Sequence, residues 1–172
     1  MALSGDRSHP ADQVKVRSQR HALDFERFDA ITFDCYGTLI DWETGIWDAF
    51  QPLLVENPPT DLTRDTLIAA FNNLEAEQQA AAPAMTYPTV LECVHRALAE
   101  NLVLLTSPGL DYAFGASVPS WPAFPDSADA LQLLSEHFGL VILSNVDRAG
   151  FAASNTLLGV EFDAIYTAED IG

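Results

Sequence analysis

Residues 30–34 read Ala-Ile-Thr-Phe-Asp, and Cys35-Tyr36-Gly37-Thr38-Leu39-Ile40 follow directly. The short apolar, β-branched run suits a parallel strand covered on both faces. It breaks off at a carboxylate. Gly37 then permits a tight turn, and Thr38 brings a hydroxyl close to Asp34. In open α/β sheets ligands bind outside the carboxyl ends of the strands, so Asp34 stands where chemistry is expected.

The rest of the chain supplies the layers such a strand needs. Residues 1–24 are polar and without period, and read as a disordered arm; Leu23, Phe25 and Phe28 are expected to pack under the first strand. Asp41 is a good helix N-cap, and Trp42, Ile46, Trp47, Phe50, Leu53 and Leu54 recur at helical spacing until Asn57-Pro58-Pro59. Thr63 caps a second helix with Leu67, Ile68, Phe71 and Leu74 on one face, trailing into a polar, Ala-rich stretch over 75–82. Thr86 and Pro88 open a third, with Val90, Leu91, Val94 and Leu98, broken by Pro108-Gly109; 111–114 forms one more short helical piece. These stripes read as core packing, and His95 as a packed histidine rather than a ligand. Trp42 lies close to Asp34 in sequence and is the one aromatic expected to wall a pocket.

After a Pro-rich return segment over 119–125, Asp126 caps a helix closed by Gly139. Residues 140–143 form a second buried strand that ends in Ser144-Asn145-Val146-Asp147, a helix runs from Arg148 to Leu158 and is closed by Gly159, and 162–167 is a third strand. Strand, helical insertion, helix, strand, helix, strand argues an α/β layered fold with a parallel sheet. Its core spans 25–41 and 119–172, and a helical subdomain occupies 42–118.

The charge is uneven. Of a net −17, the eight Lys and Arg include five before residue 28, so residues 28–172 carry three cations against 21 acids. Such a surface repels nucleic acid and anionic membrane. Cys35 and Cys93 make no disulfide framework, which favours a reducing compartment, and no apolar run approaches the ~18 residues of a membrane span. A cytoplasmic protein is expected.

Asp34-Cys35-Tyr36-Gly37-Thr38-Leu39 resembles the first motif of the haloacid dehalogenase (HAD) superfamily, Asp-x-Asp-x-Thr, with Tyr36 in place of the second Asp. That form resembles the type II 2-haloacid dehalogenases. Ser144-Asn145 at the end of the second strand matches the place of the second motif, and Trp121-Pro122-Ala123-Phe124-Pro125-Asp126 is also similar to that subgroup. The resemblance implies a Rossmann-like HAD core whose helical insertion is the cap, and a hydrolase cleaving a carbon–halogen bond. Asp34 is then the nucleophile, forming an ester that water hydrolyses. Thr38 orients the carboxylate, Ser144 holds the substrate carboxylate, Asn145 cradles the halide, and backbone N–H groups after Asp34 stabilise the oxyanion. Tyr36 and Trp42 wall the substrate, a short 2-halo carboxylate, with no cofactor or metal. Phosphatases of the superfamily use the second Asp to protonate a leaving alkoxide; halide needs no proton, so Tyr36 favours dehalogenation over a Mg²⁺-dependent phosphatase.

Three departures bear on this. The third motif is a lysine past the third strand, and the sole lysine here is Lys15; the chain stops at Gly172, before that motif, the acidic fourth one and further strands. On the cap helix, Asn72 stands about where dehalogenases carry a halide-binding Arg. Two like charges 4 Å apart repel by about 1 kcal/mol in water and about 4 kcal/mol at an effective dielectric near 20, so a site lacking cations is a poor host for an anion. Arg148, at a helix start, reads as solvated. The chain is therefore expected to be a truncated, weakly active form. Two alternatives stand beside it: the Mg²⁺-dependent phosphatase, and an inactive form, possible as a homodimer, that acts through protein contacts at an unpaired sheet edge.

Overall fold

The computed structural model describes residues 25–58, 60–167 and 170. Three parallel strands, β1 (Ala30–Asp34), β2 (Gly139–Ser144) and β3 (Ala164–Thr167), form one sheet in the order β1-β2-β3. Asp34 lies opposite Leu143, and Ser144 opposite Thr167, so both polar residues leave the same carboxyl edge on neighbouring strands. This is the α/β architecture that the strand–helix alternation predicts. The helices are α1 (Trp42–Glu56), α2 (Arg64–Ala81), α3 (Tyr87–Asn101), α4 (Pro108–Gly115), α5 (Ser127–Ser135) and α6 (Arg148–Leu158).

Several helix starts follow their caps, whereas Asp126 before α5 and Thr86 before α3 stand at the N-cap position without a side-chain cap hydrogen bond. Asp41 accepts from the Thr44 amide at 3.0 Å, Thr63 and Thr66 bond reciprocally across the first turn of α2, and Ser107 accepts from the Leu110 amide. Pro108 therefore begins α4, while α3 has already ended at Asn101. Gly159 closes α6 in the left-handed conformation, φ 68°.

Some expectations are corrected. β1 is not covered on both faces. Ile31 and Phe33 are half-buried, whereas Thr32 and Asp34 are exposed together with Leu143 and Tyr166 of the same sheet face. Among the described residues β1 has β2 on one side only, so the burial that its β-branched composition suggests falls on central β2 instead. Gly139 does not cap α5. That helix ends at Ser135, and Gly139 opens β2, its amide donating to the Asp29 carbonyl at 2.8 Å. Phe25 and Phe28 are more than half exposed rather than tucked under β1. Leu23 and the arm lie outside the described residues.

Helices α1 to α4 pack on one another around Phe50, Phe71 and Phe114. His95 is buried there, its ring 4.7 Å from that of Phe114 and its Nδ1 2.8 Å from Asp111. The chain returns to the sheet through Trp121, which is fully buried and donates its indole N–H to Ser117. α1 seats on this tryptophan through Gly45, where a Cβ would lie 2.3 Å from the ring. Alanine normally gains about 1 kcal/mol over glycine inside a helix. Here that gain is overrun, because α1 has to move off the return segment to relieve the clash. Gly45→Ala is expected to cost roughly 1–3 kcal/mol net, read as a lowered melting temperature; a raised one shows that α1 does not bear on Trp121.

Candidate active site

Asp34 ends β1 at an exposed position, and the next residues coil into a tight turn. The Thr38 and Leu39 amides donate to the Cys35 carbonyl, the Gly37 amide donates to the Ile40 carbonyl at 2.8 Å, and Gly37 has φ 97°. A side chain at that φ is strained, and a Cβ would also stand 3.2 Å from the Trp42 indole nitrogen. The turn brings Thr38 back onto the strand end, where its hydroxyl donates to Asp34 Oδ2 at 3.2 Å. Cys35, the neighbouring nucleophile type, is fully buried; burial, reinforced by the Asp34 charge, pushes its thiol up to about 12, so it stays protonated at neutral pH.

Tyr36 turns away from solvent. Its hydroxyl shares a 2.9 Å hydrogen bond with Ser154 of α6, and its ring meets Trp121 edge-on at 5.6 Å. Burial raises its phenol far above the ordinary range. Trp42 is half-buried with its ring over Phe71 of α2. Tyr36, Trp42, Tyr87 and Trp121 with Glu75 and Asn145 line a pocket of about 80 Å³ between the α1–α4 helices and the sheet edge. The pocket wall reaches Tyr36, two residues beyond Asp34. A larger groove of about 530 Å³ adjoins it, sharing Tyr87 and Asn145 and reaching Met85 and Asp147.

Ser144 is buried at the end of β2, its hydroxyl oxygen accepting from the Val146 amide at 3.3 Å. By strand alternation Asp34 shares its sheet face with Leu143, while Ser144 points to the other face. The fold thus joins Asp34 directly to Thr38, and groups Tyr36, Trp42 and Asn145 in one pocket. It sets Ser144 beside them at the same sheet edge. Asp147 caps α6 by accepting from the Gly150 amide at 2.7 Å. Arg148 is exposed at the first residue of α6, as its sequence position indicates, and pairs with Asp170, which also accepts from the Thr167 amide and hydroxyl. Asn72 is exposed on α2.

Glu75, Tyr87 and Ser154 were not singled out by the sequence. Glu75 lies one helical turn after buried Phe71, on the same face, the one signal that pointed inward. Tyr87 donates to Glu75 Oε1 at 2.7 Å, and burial raises the Glu75 carboxyl although that hydrogen bond lowers it. A carboxyl whose folded-state pKa lies above its unfolded value stabilises the fold at low pH and loses that contribution as pH climbs through the folded value. Glu75→Gln keeps an acceptor for Tyr87 without the charge. Its melting temperature is expected to pull ahead of the wild type as pH rises from 4.5, and to match it below; a gap independent of pH refutes the burial cost.

No family model matches the sequence, and no curated protein matches it. The fold does find matches: it is the fold of the haloacid dehalogenase-type proteins. A dehalogenase crystal structure superposes with TM-score 0.69 at 19% identity, over 87% of this chain and 66% of that one. The L-2-haloacid dehalogenase of Xanthobacter autotrophicus with chloropropionic acid covalently bound gives 0.64 at 18%, over 81% of this chain and 56% of that one. A magnesium-bound HAD hydrolase of Bacillus subtilis, YfnB, gives 0.65 at 18%, over 83% and 66%. The chain therefore spans 56–66% of the length of these structures.

Proposed function

We propose that this chain belongs to a HAD-type hydrolase that cleaves a carbon–halogen bond of a 2-halo carboxylate through an aspartyl ester on Asp34. The observation that carries the reading is the strand-end carboxylate held by Thr38, followed two residues later by a buried tyrosine instead of a second acid. With Oδ2 held by Thr38, Oδ1 attacks the halogen-bearing carbon; the carbon–halogen bond breaks and halide leaves with the electron pair. Water then adds to the Asp34 carboxyl carbon and the ester C–O bond breaks, giving a 2-hydroxy acid, one proton and the regenerated carboxylate. The amides of Gly37 to Ile40 are committed within the turn. Oxyanion stabilisation in the second step therefore falls to Thr38 and the amides of Cys35 and Tyr36. Ser144 serves the substrate carboxylate and Asn145 the halide, with Tyr36 and Trp42 as walls. No cofactor enters, and a cytoplasmic location suits the paired absence of disulfides and of long apolar helices among the described residues.

The phosphatase alternative fits less well. Its general acid would have to be Tyr36, a phenol that burial makes a still weaker acid and whose hydroxyl is engaged with Ser154. The test is halide release from L-2-chloropropionate, with mass spectrometry for an ester on Asp34, on this chain and on a form extended past Gly172 if the gene continues. Halide with a trapped ester supports the reading. Phosphate release from phosphomonoesters with Mg²⁺, and no halide, replaces it.

A further inference from the structure

We infer that the substrate carries a cationic ammonium group, which seats in the pocket formed by Tyr36, Trp42, Tyr87 and Trp121 around the Glu75 carboxylate. This rests on the hydrolase reading for the reacting end of the substrate and adds the chemistry of its other end. Four aromatic rings and one carboxylate share a pocket of about 80 Å³ beside the larger groove. Aromatic faces attract cations by their quadrupoles, and most strongly where water is excluded. The carboxylate is held in place, since Tyr87 donates to it at 2.7 Å and Gln79 at 3.4 Å. No Lys, Arg or His lines this pocket or the groove beside it.

The charge balance points the same way. Arg64, Arg96 and Arg148 are each paired with a carboxylate, namely Asp41 and Glu43, Asp111, and Asp170. A simple haloacid anion would meet Ser144 and Asn145 as polar partners, with no guanidinium among the residues lining the pocket or the groove. A zwitterion whose ammonium sits on Glu75 brings no net charge, and its carboxylate end can lie toward Ser144 while the chain between them follows the groove. Asp147 on the groove wall adds to the preference.

Binding is measured without catalysis, so the two readings fail separately. Choline and its neutral isostere 3,3-dimethylbutan-1-ol are titrated against the tryptophan fluorescence of the full chain, with calorimetry as a second readout. Choline is expected to saturate and to bind at least tenfold more tightly than the isostere. Glu75→Gln should erase that preference, and Asp34→Asn should leave it intact. Trp42→Leu, which leaves the carboxylate in place, should weaken choline severalfold. Equal affinity for choline and the alcohol, no saturable choline signal, or an undiminished preference in Glu75→Gln overturns the assignment. Halide release from 2-chloropropionate alongside any of these leaves the Asp34 chemistry standing; a choline preference with no chemistry at Asp34 leaves the pocket standing and removes the hydrolase.

Discussion

Asp34→Asn is expected to abolish halide release and ester formation while leaving the fold unchanged. The amide retains an oxygen for the Thr38 hydroxyl and nearly the volume of the acid, and the position is exposed, so the 3.2 Å contact and the turn survive. What is lost is the anionic oxygen that attacks carbon in the proposed reaction. Removing a covalent nucleophile typically lowers turnover by on the order of 10⁴–10⁶, because no neighbouring group takes over. Here Cys35 is no substitute, buried and pushed up to about 12. The comparison is made by halide assay and intact-mass measurement, with circular dichroism as the folding control. Turnover in the variant within tenfold of the wild type would remove Asp34 from the chemistry. Thr38→Val is the companion: if the hydroxyl only orients the carboxylate, the loss is smaller than that of Asp34→Asn, and an ester still forms.

The second large effect is one of stability. Asp111 is 3% exposed and accepts three hydrogen bonds, from His95 and Thr106 at 2.8 Å and from Arg96 at 3.0 Å. Because an ionised carboxylate only accepts, His95 Nδ1 is the donor. Burial alone would push the Asp111 carboxyl up, but the three donors outweigh it and hold it below its ordinary value. Burial lowers the His95 imidazole more strongly than Asp111 raises it. Asp111→Ala leaves a buried imidazole N–H and a threonine hydroxyl without their acceptor. Leaving a buried donor unsatisfied costs about 1–3 kcal/mol each, and for a domain of this size the two together lower the melting temperature by on the order of 10 °C. The pH signs agree. Both groups have folded pKa values below their unfolded ones, so each stabilises at higher pH and loses that contribution on acidification, His95 from 6.5 downward and Asp111 below its ordinary 3.8. Acid melting should therefore begin near the histidine range, and that first phase should vanish in His95→Phe. An Asp111→Ala melting point equal to that of the wild type would mean the network carries nothing.

Much of the site was legible because it is local. A β-branched run ending in an acid, a glycine at the only turn position that needs positive φ, and a hydroxyl four residues after the acid are all set within nine residues of chain. The helix starts at Asp41 and Thr63 were legible for the same reason, since a cap and its amide partner are three residues apart. The exceptions are instructive. Gly139 looked like a helix terminator because Gly often is one, yet its place is decided by the Asp29 carbonyl, more than a hundred residues earlier. β1 looked like a core strand because composition reports what a strand tolerates, while its place at the end of the described sheet, beside β2, sets how much of it is covered.

By itself, the sequence determined the nucleophile candidate and its hydroxyl partner, the order of strands and helices, and the acidity against which any ligand must bind. Only tertiary structure decided what surrounds the acid. Ser154 reaches Tyr36 across 118 residues, Glu75 meets Tyr87 between two helices, and Trp121 closes the same pocket from the return segment. Local patterns follow from short-range hydrogen bonding and helical or strand periodicity, which a sequence displays. A pocket forms where separate elements dock, and which side chains share it depends on packing angles and close approaches such as Gly45 on Trp121, which no local pattern encodes.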